Sequence, residues 1–298
     1  MGVSTEQAGR LNGVMNEYWE RRADAFGFDT KNDTMEEMKA RILPHLPKGR
    51  KKVLDVGTGT GMVATAAALL GHDVTGVDFS PNMLKEAERN SAKYGVSPAY
   101  IQANALALPF ADDTFDVVIS RNVLWAIPHP EEALLEWRRV LKPGGILIYM
   151  DGNQYNHYFD ENARKDRELF IRLRGTGTAH WIEKGEKDFD SSACDEAAYD
   201  LPLSRFDRPH DWDEKILPQL KFDIIREDIC RPQALLRYGV AEGASTSFLI
   251  SAVNGKTCKE EAYHGTNRFL RPPERVPEGP VVSREHLPQL EKIGRAHV

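Results

Sequence analysis

Gly57, Gly59 and Gly61 stand directly after the apolar run Val53-Leu-Asp-Val56 and directly before an apolar stretch from Met62 to Leu70. This reads as a strand, a bare turn and a helix. Glycine lets a backbone pass close to a ligand, and the first amides of a helix are open hydrogen-bond donors. Asp78 ends the next apolar run, Asp73-Val-Thr-Gly-Val-Asp78. A carboxylate at that place can accept both hydroxyls of a ribose, although in Asp-Phe-Ser-Pro it can also cap a helix. The turn reads Gly-x-Gly-x-Gly rather than the G-x-G-x-x-G of dinucleotide folds, and Asp55 lies inside the strand just before it. No Tyr-x-x-x-Lys pair for proton transfer beside a nicotinamide occurs. A nucleoside ligand is therefore favoured, and a nucleotide-dependent oxidoreductase is the second reading.

The elements that must position these residues follow from periodicity. Short apolar runs at 53–56, 73–78, 99–102, 115–120 and 146–150 alternate with amphipathic stretches, including one opened by Ser80-Pro81 and one over 130–141. That alternation predicts an α/β fold: a doubly wound, mostly parallel, Rossmann-like sheet. Two further runs, 221–226 and 245–251, are joined by a link too short for a comfortable helical crossover. They complete a seven-stranded sheet with an antiparallel last strand. Residues 1–50 read as an N-terminal helical cap, with a capping box at Thr34-Met-Glu-Glu37. Residues 51–254 form the core, 152–215 a helical insertion or lid after the fifth strand, and 255–298 an extended tail.

The motifs resemble those of the class I S-adenosylmethionine-dependent methyltransferases of the small-molecule type. Five segments fall in that family's order: Asp-Val-Gly-Thr-Gly-Thr-Gly, Gly-Val-Asp-Phe-Ser-Pro-Asn-Met-Leu, Ala-Leu-Pro-Phe, Phe-Asp-Val-Val-Ile-Ser-Arg and Arg-Val-Leu-Lys-Pro-Gly-Gly. The resemblance implies S-adenosyl-L-methionine as cofactor, with S-adenosyl-L-homocysteine as product. It places Asp55, Gly57, Thr58, Gly59 and Gly61 at the methionine end, Asp78 at the ribose, and Phe79 and Met83 on the adenine faces. Asn104, Ala105, Leu106, Ser120 and Arg121 complete the cofactor set, and Tyr18 reaches the cofactor carboxylate from an entry helix. Where the family usually carries Gly-Asp-Ala, this chain has Ala103-Asn104-Ala105. An asparagine oxygen still accepts a hydrogen bond from the adenine amino group but lacks the charge.

Methyl transfer from a sulfonium needs alignment and exclusion of water more than a strong acid or metal. An oxygen or protonated-nitrogen acceptor also needs a base. Candidates lie in the insertion: His157, His180, His210 and Tyr155. Asn122, Trp125, Asn153 and Trp181 are the expected acceptor contacts, and Arg205 or Arg208 offers a guanidinium to an anionic acceptor. The three histidines lack ligand-type spacing, so no metal is expected. The aromatic and charged insertion suits a small polar or amphipathic acceptor. A non-catalytic cofactor-binding protein is the third reading, prompted by Asn104 and the tail.

Composition narrows the partners. The 298 residues are 41% hydrophobic and 28% charged, as in ordinary globular proteins, and the formal charge of −6 offers no global basic footprint. Neither nucleic acid nor a membrane is an expected partner. Three widely spaced cysteines and the charged first thirty residues fit a cytoplasmic chain without a leader. Oligomeric state is not legible.

Overall fold

The computed structural model describes residues 3–23, 26, 28, 29, 34–165, 168, 192–230 and 247–255. Its centre is a seven-stranded sheet in the order β3-β2-β1-β4-β5-β7-β6. The strands are β1 (Lys52–Val56), β2 (Asp73–Asp78), β3 (Ala99–Gln102), β4 (Phe115–Arg121), β5 (Leu141–Gly152), β6 (Phe222–Cys230) and β7 (Ser247–Asn254). The first five pair in parallel, and β7 runs antiparallel between β5 and β6. Strand β1 pairs with both β2 and β4, so the chain reverses direction across the sheet there. Ligands of such sheets sit at the carboxyl ends beside that reversal.

The seven expected strands are all present, β2 and β3 with the expected bounds and the others with shifted ends. Strand β5 starts at Leu141 rather than Ile146, because Leu141 pairs with Phe115 across a register shift in β4. Its other end runs to Gly152 because β7 pairs with it from Ile146 onward, Ser247 opposite Gly152.

Helix α1 spans Thr5–Arg22, α2 Met35–Ile42, α3 Met62–Leu69, α4 Pro81–Lys93 and α5 Pro130–Val140. Between β5 and β6, α6 covers Ser192–Ala198 and α7 Asp213–Gln219. The Thr34–Glu37 capping box forms as its sequence requires. Ser80 caps α4 by accepting from the Met83 N–H. One face of the sheet is filled by Trp137, Leu134, Trp212 and Leu217 from α5 and α7, and the other by Met38, Ile42, Val63 and Ala67 from α2 and α3. The two N-terminal helices therefore do different work. Helix α2 belongs to the core, whereas α1 joins α6 in a third cluster through Leu11, Met15, Cys194 and Ala198. Arg10 pairs with Asp200 at 2.8 Å, and Ser80 donates to Glu20, which ties α1 to the chain after α6 and to the start of α4. No helix among the described residues is long and apolar enough to cross a membrane.

Candidate active site

The turn after β1 is held by its own backbone and by two carboxylates. Gly57 and Thr58 donate their N–H groups to the Val77 carbonyl at 2.8 and 2.9 Å, which locks the turn to β2. Asp55 Oδ2 accepts from Thr58 Oγ1 at 2.6 Å and from the Ala64 N–H at 3.0 Å, joining the turn to the first residues of α3. Asp78 accepts from Gly59 N–H at 2.9 Å and Ser80 N–H at 3.0 Å. Burial pushes the Asp55 carboxyl up to about 7 against those hydrogen bonds, and that of Asp78 up to about 6.

Two of the three glycines are required by contacts. At Gly57 (φ 68°) a Cβ would stand 2.2 Å from Val123 Cγ2. At Gly61 (φ 87°) it would meet the Tyr100 hydroxyl at 2.7 Å and Ala87 Cβ at 2.9 Å, so this residue lets α3 approach α4 and β3. A Cβ on Gly59 would meet nothing within 4 Å. The space above it belongs to a cavity of about 700 Å³.

That cavity collects most of the residues singled out by the sequence. Asp55, Gly57, Thr58, Gly59 and Asp78 form its floor. Phe79, Met83, Asn104, Ala105 and Leu106 line the side beside β2 and β3, and Arg121, Asn122 and Trp125 the side after β4. Tyr18 and Tyr155 close it from above. The Trp125 and Tyr155 rings lie 5.3 Å apart between centroids, tilted by 36°. Asn104 Oδ1 already accepts the Leu106 N–H at 2.9 Å, which shapes the turn that carries Leu106 into the wall.

Other expected site residues stand elsewhere. Ser120 is buried behind the wall and donates to the Val56 carbonyl, tying β4 to β1. Gly61 serves helix packing. Asn153 does not line this cavity: its amide donates to Asp207 and the Arg208 carbonyl, and its oxygen accepts the Arg208 N–H. His157 packs against Tyr158 at 4.5 Å, outside the wall. His210 is exposed and meets Glu214 at 2.7 Å. Arg205 lies over the Phe159 ring. His180 and Trp181 lie outside the described residues.

Arg208 does not line the cavity either. Its guanidinium is fully buried, donating to Asp151 at 2.8 Å and to both oxygens of Asp213 at 2.7 and 2.9 Å. Asp151 also accepts the Trp125 N–H at 3.0 Å. This cluster fastens the cavity wall at Trp125 to the returning strap before α7.

The sequence reading missed the rest of the α1 face. Asn12, Met15, Asn16, Trp19 and Arg22 line the cavity at helical spacing, with Phe26 beyond them. That spacing was a usable signal. Arg22 donates to Tyr18 and lies 5.6 Å from the Trp19 ring. Burial raises the Tyr18 hydroxyl above its ordinary range, and Arg22 opposes that. Cys194 and Gln154 also line the wall, and burial pushes the Cys194 thiol up to about 12, leaving it protonated.

With this geometry in view, comparison with known proteins is specific. A family model described as a methyltransferase domain matches residues 54–149. A demethylmenaquinone methyltransferase of Lysinibacillus sphaericus is 39% identical over 169 residues, 53% of this chain and 69% of that protein. An uncharacterized protein of Mycobacterium tuberculosis is 41% identical over 96 residues, 32% of this chain and 35% of its own length. The chain thus spans only about a third of such mycobacterial relatives. The [4+2]-cyclase SpnF shares the fold, with a TM-score of 0.51 at 16% identity over 86% of this chain and 98% of that one. The chain belongs to the class I S-adenosylmethionine-dependent methyltransferase family.

Proposed function

We propose that this protein transfers a methyl group from S-adenosyl-L-methionine to an oxygen or nitrogen of a small metabolite. The observation that carries the reading is the single cavity of about 700 Å³ running from the glycine turn and Asp78 to the aromatic wall of Trp125, Tyr155 and α1. It holds room for a nucleoside and a second small molecule side by side.

The residues present fit the cofactor. Open space above Gly59 admits a ligand against bare backbone. Asp78 is the buried carboxylate for the ribose hydroxyls, and Phe79, Met83 and Leu106 offer apolar faces to a flat base. Tyr18 and the turn residues receive the methionine end. Bound there, the cofactor supplies an electrophilic methyl group on a sulfonium. Asp55 acts through the turn: its hydrogen bonds to Thr58 and Ala64 hold the amides in place.

The protein's own contribution is alignment and dryness. Trp125, Tyr155 and the α1 face wall off the acceptor side, and holding reactants within about 3 to 3.5 Å supplies roughly 7 to 11 kcal/mol of the barrier. The described part of 152–215 acts as the lid in this reading. Similarity to demethylmenaquinone methyltransferases supports a small-molecule acceptor. Mass spectrometry of small molecules retained through purification tests the assignment. A bound adenosyl compound is expected, and a retained nicotinamide dinucleotide would revive the oxidoreductase reading instead.

A further inference from the structure

Tyr155 differs from the other wall residues in where its proton goes. Its hydroxyl donates to Asp195 Oδ1 at 2.7 Å, on the first turns of α6. The neighbouring Cys194 Sγ is 3.8 Å from the Tyr155 oxygen and also 3.8 Å from Met15 Sδ, to which the thiol donates. A phenol has one proton and two lone pairs. With the proton committed to Asp195, the Tyr155 oxygen can only accept from whatever lies in the cavity. Burial and the adjacent carboxylate raise the Tyr155 hydroxyl well above its ordinary range, which keeps it a phenol. Beside it the Trp125 ring lies 5.3 Å away, tilted by 36°, and both residues line the cavity.

We infer that the acceptor is a hydroxylated aromatic ring, seated against Trp125 with its O–H pointing at the Tyr155 oxygen, and that Asp195 is the positioning residue that turns Tyr155 into an acceptor. This rests on the methyl-transfer reading above and adds the substrate class. The proton balance closes without a further reactant. As the ring oxygen forms its bond to the methyl carbon, the carbon–sulfur bond breaks and its electron pair stays on sulfur. The ring's proton passes to the Tyr155 oxygen while the Tyr155 proton passes to Asp195. The positive charge lost from sulfur is matched by the negative charge lost from the carboxylate. The product ether has no proton for Tyr155 and loses that contact, which favours its release.

The test is equilibrium binding of 2-naphthol and its methyl ether, 2-methoxynaphthalene, to the full-length protein, with and without S-adenosylhomocysteine. The naphthol is expected to bind about five- to tenfold more tightly than the ether, the usual worth of one hydrogen bond. Tyr155→Phe is expected to abolish the preference. Asp195→Ala frees the Tyr155 proton to turn toward the cavity and is expected to narrow the preference by improving binding of the ether, which loss of structure does not do. Equal affinities in the unaltered protein, or no binding of either ring, would overturn the inference even if a variant fails to fold. The two readings fail separately. S-adenosylhomocysteine that does not bind removes the methyl-transfer reading; S-adenosylhomocysteine that binds while the naphthol shows no preference removes only the ring.

Discussion

Asp55 and Asp78 sit in one cavity floor with different duties. Asp78 lines the cavity as the carboxylate proposed for the ribose, and Asp78→Ala is expected to weaken binding of S-adenosylhomocysteine by about 1.5 to 3 kcal/mol, the range for hydrogen bonds to a charged group. Because burial lifts its carboxyl to about 6, affinity should fall as the pH drops below that value, a trend visible by titration between pH 5 and 8. Asp55 works through the turn, and its consequence is for stability. Its folded value of about 7 exceeds the ordinary carboxylate value of 3.8. The folded state therefore holds a proton that the unfolded chain releases. The associated stability is fully present below the ordinary value and is lost as pH rises through about 7. Urea denaturation should show this slope in the protein without cofactor and a flatter one in Asp55→Asn. Roles at this scale were partly legible. Residue type and spacing located the floor, but not that Asn104 spends its oxygen on Leu106 or Ser120 its hydroxyl on Val56. Short side chains are claimed by nearby backbone, and one-dimensional spacing does not display those partners.

Among the elements, the strand–turn–helix unit of β1, the glycine turn and α3 governs the site. Gly57→Ala drives a methyl into Val123 and places alanine at φ 68°, a combination costing about 1 to 3 kcal/mol and displacing the turn. Adding Val123→Ala should recover part of the loss in thermal stability, because it removes the steric share and leaves the backbone share. Gly61→Ala should resist the same rescue, since its neighbours are Ala87 and Tyr100. This unit was readable because its signals are local: a buried apolar run, conformationally permissive residues, then a helix. Strand β5 was underread at both ends. Lys142-Pro-Gly-Gly145 carries turn residues and has no strand partners of its own among the described residues: the strand passes through it as an irregularity between the Leu141–Phe115 and Ile146–Val117 pairs. The α1 wall was only partly read, with Tyr18 singled out and Trp19 and Arg22 not.

At the scale of the whole molecule, buried charge joins segments far apart in sequence. Arg208 is fully buried between Asp151 and Asp213, and removing one partner of such a cluster leaves an uncompensated charge worth about 3 to 5 kcal/mol. Arg208→Met is expected to lower unfolding free energy by that amount and, by loosening the Trp125 wall, to weaken retention of an aromatic acceptor analogue. Denaturation together with 2-naphthol titration checks both. His45, whose imidazole is held below its ordinary range by burial, makes a second long-range tie by hydrogen bonding, reaching Ser251 at 3.0 Å and Asp228 at 2.9 Å to fasten the segment after α2 to the sheet's antiparallel edge. Neither tie was legible. An arginine and two aspartates spread over more than sixty positions look like surface charges until the fold assembles them, and for that reason Arg208 read as a ligand contact.

The central claim is that a nucleoside with a sulfur-bearing tail occupies the cavity floor. Isothermal titration calorimetry of S-adenosylhomocysteine, with Asp78→Ala alongside, tests it most directly. The account predicts one site per chain in the unaltered protein and an affinity at least tenfold weaker in the variant. No heat in the unaltered protein, or equal affinity in the two, would contradict it.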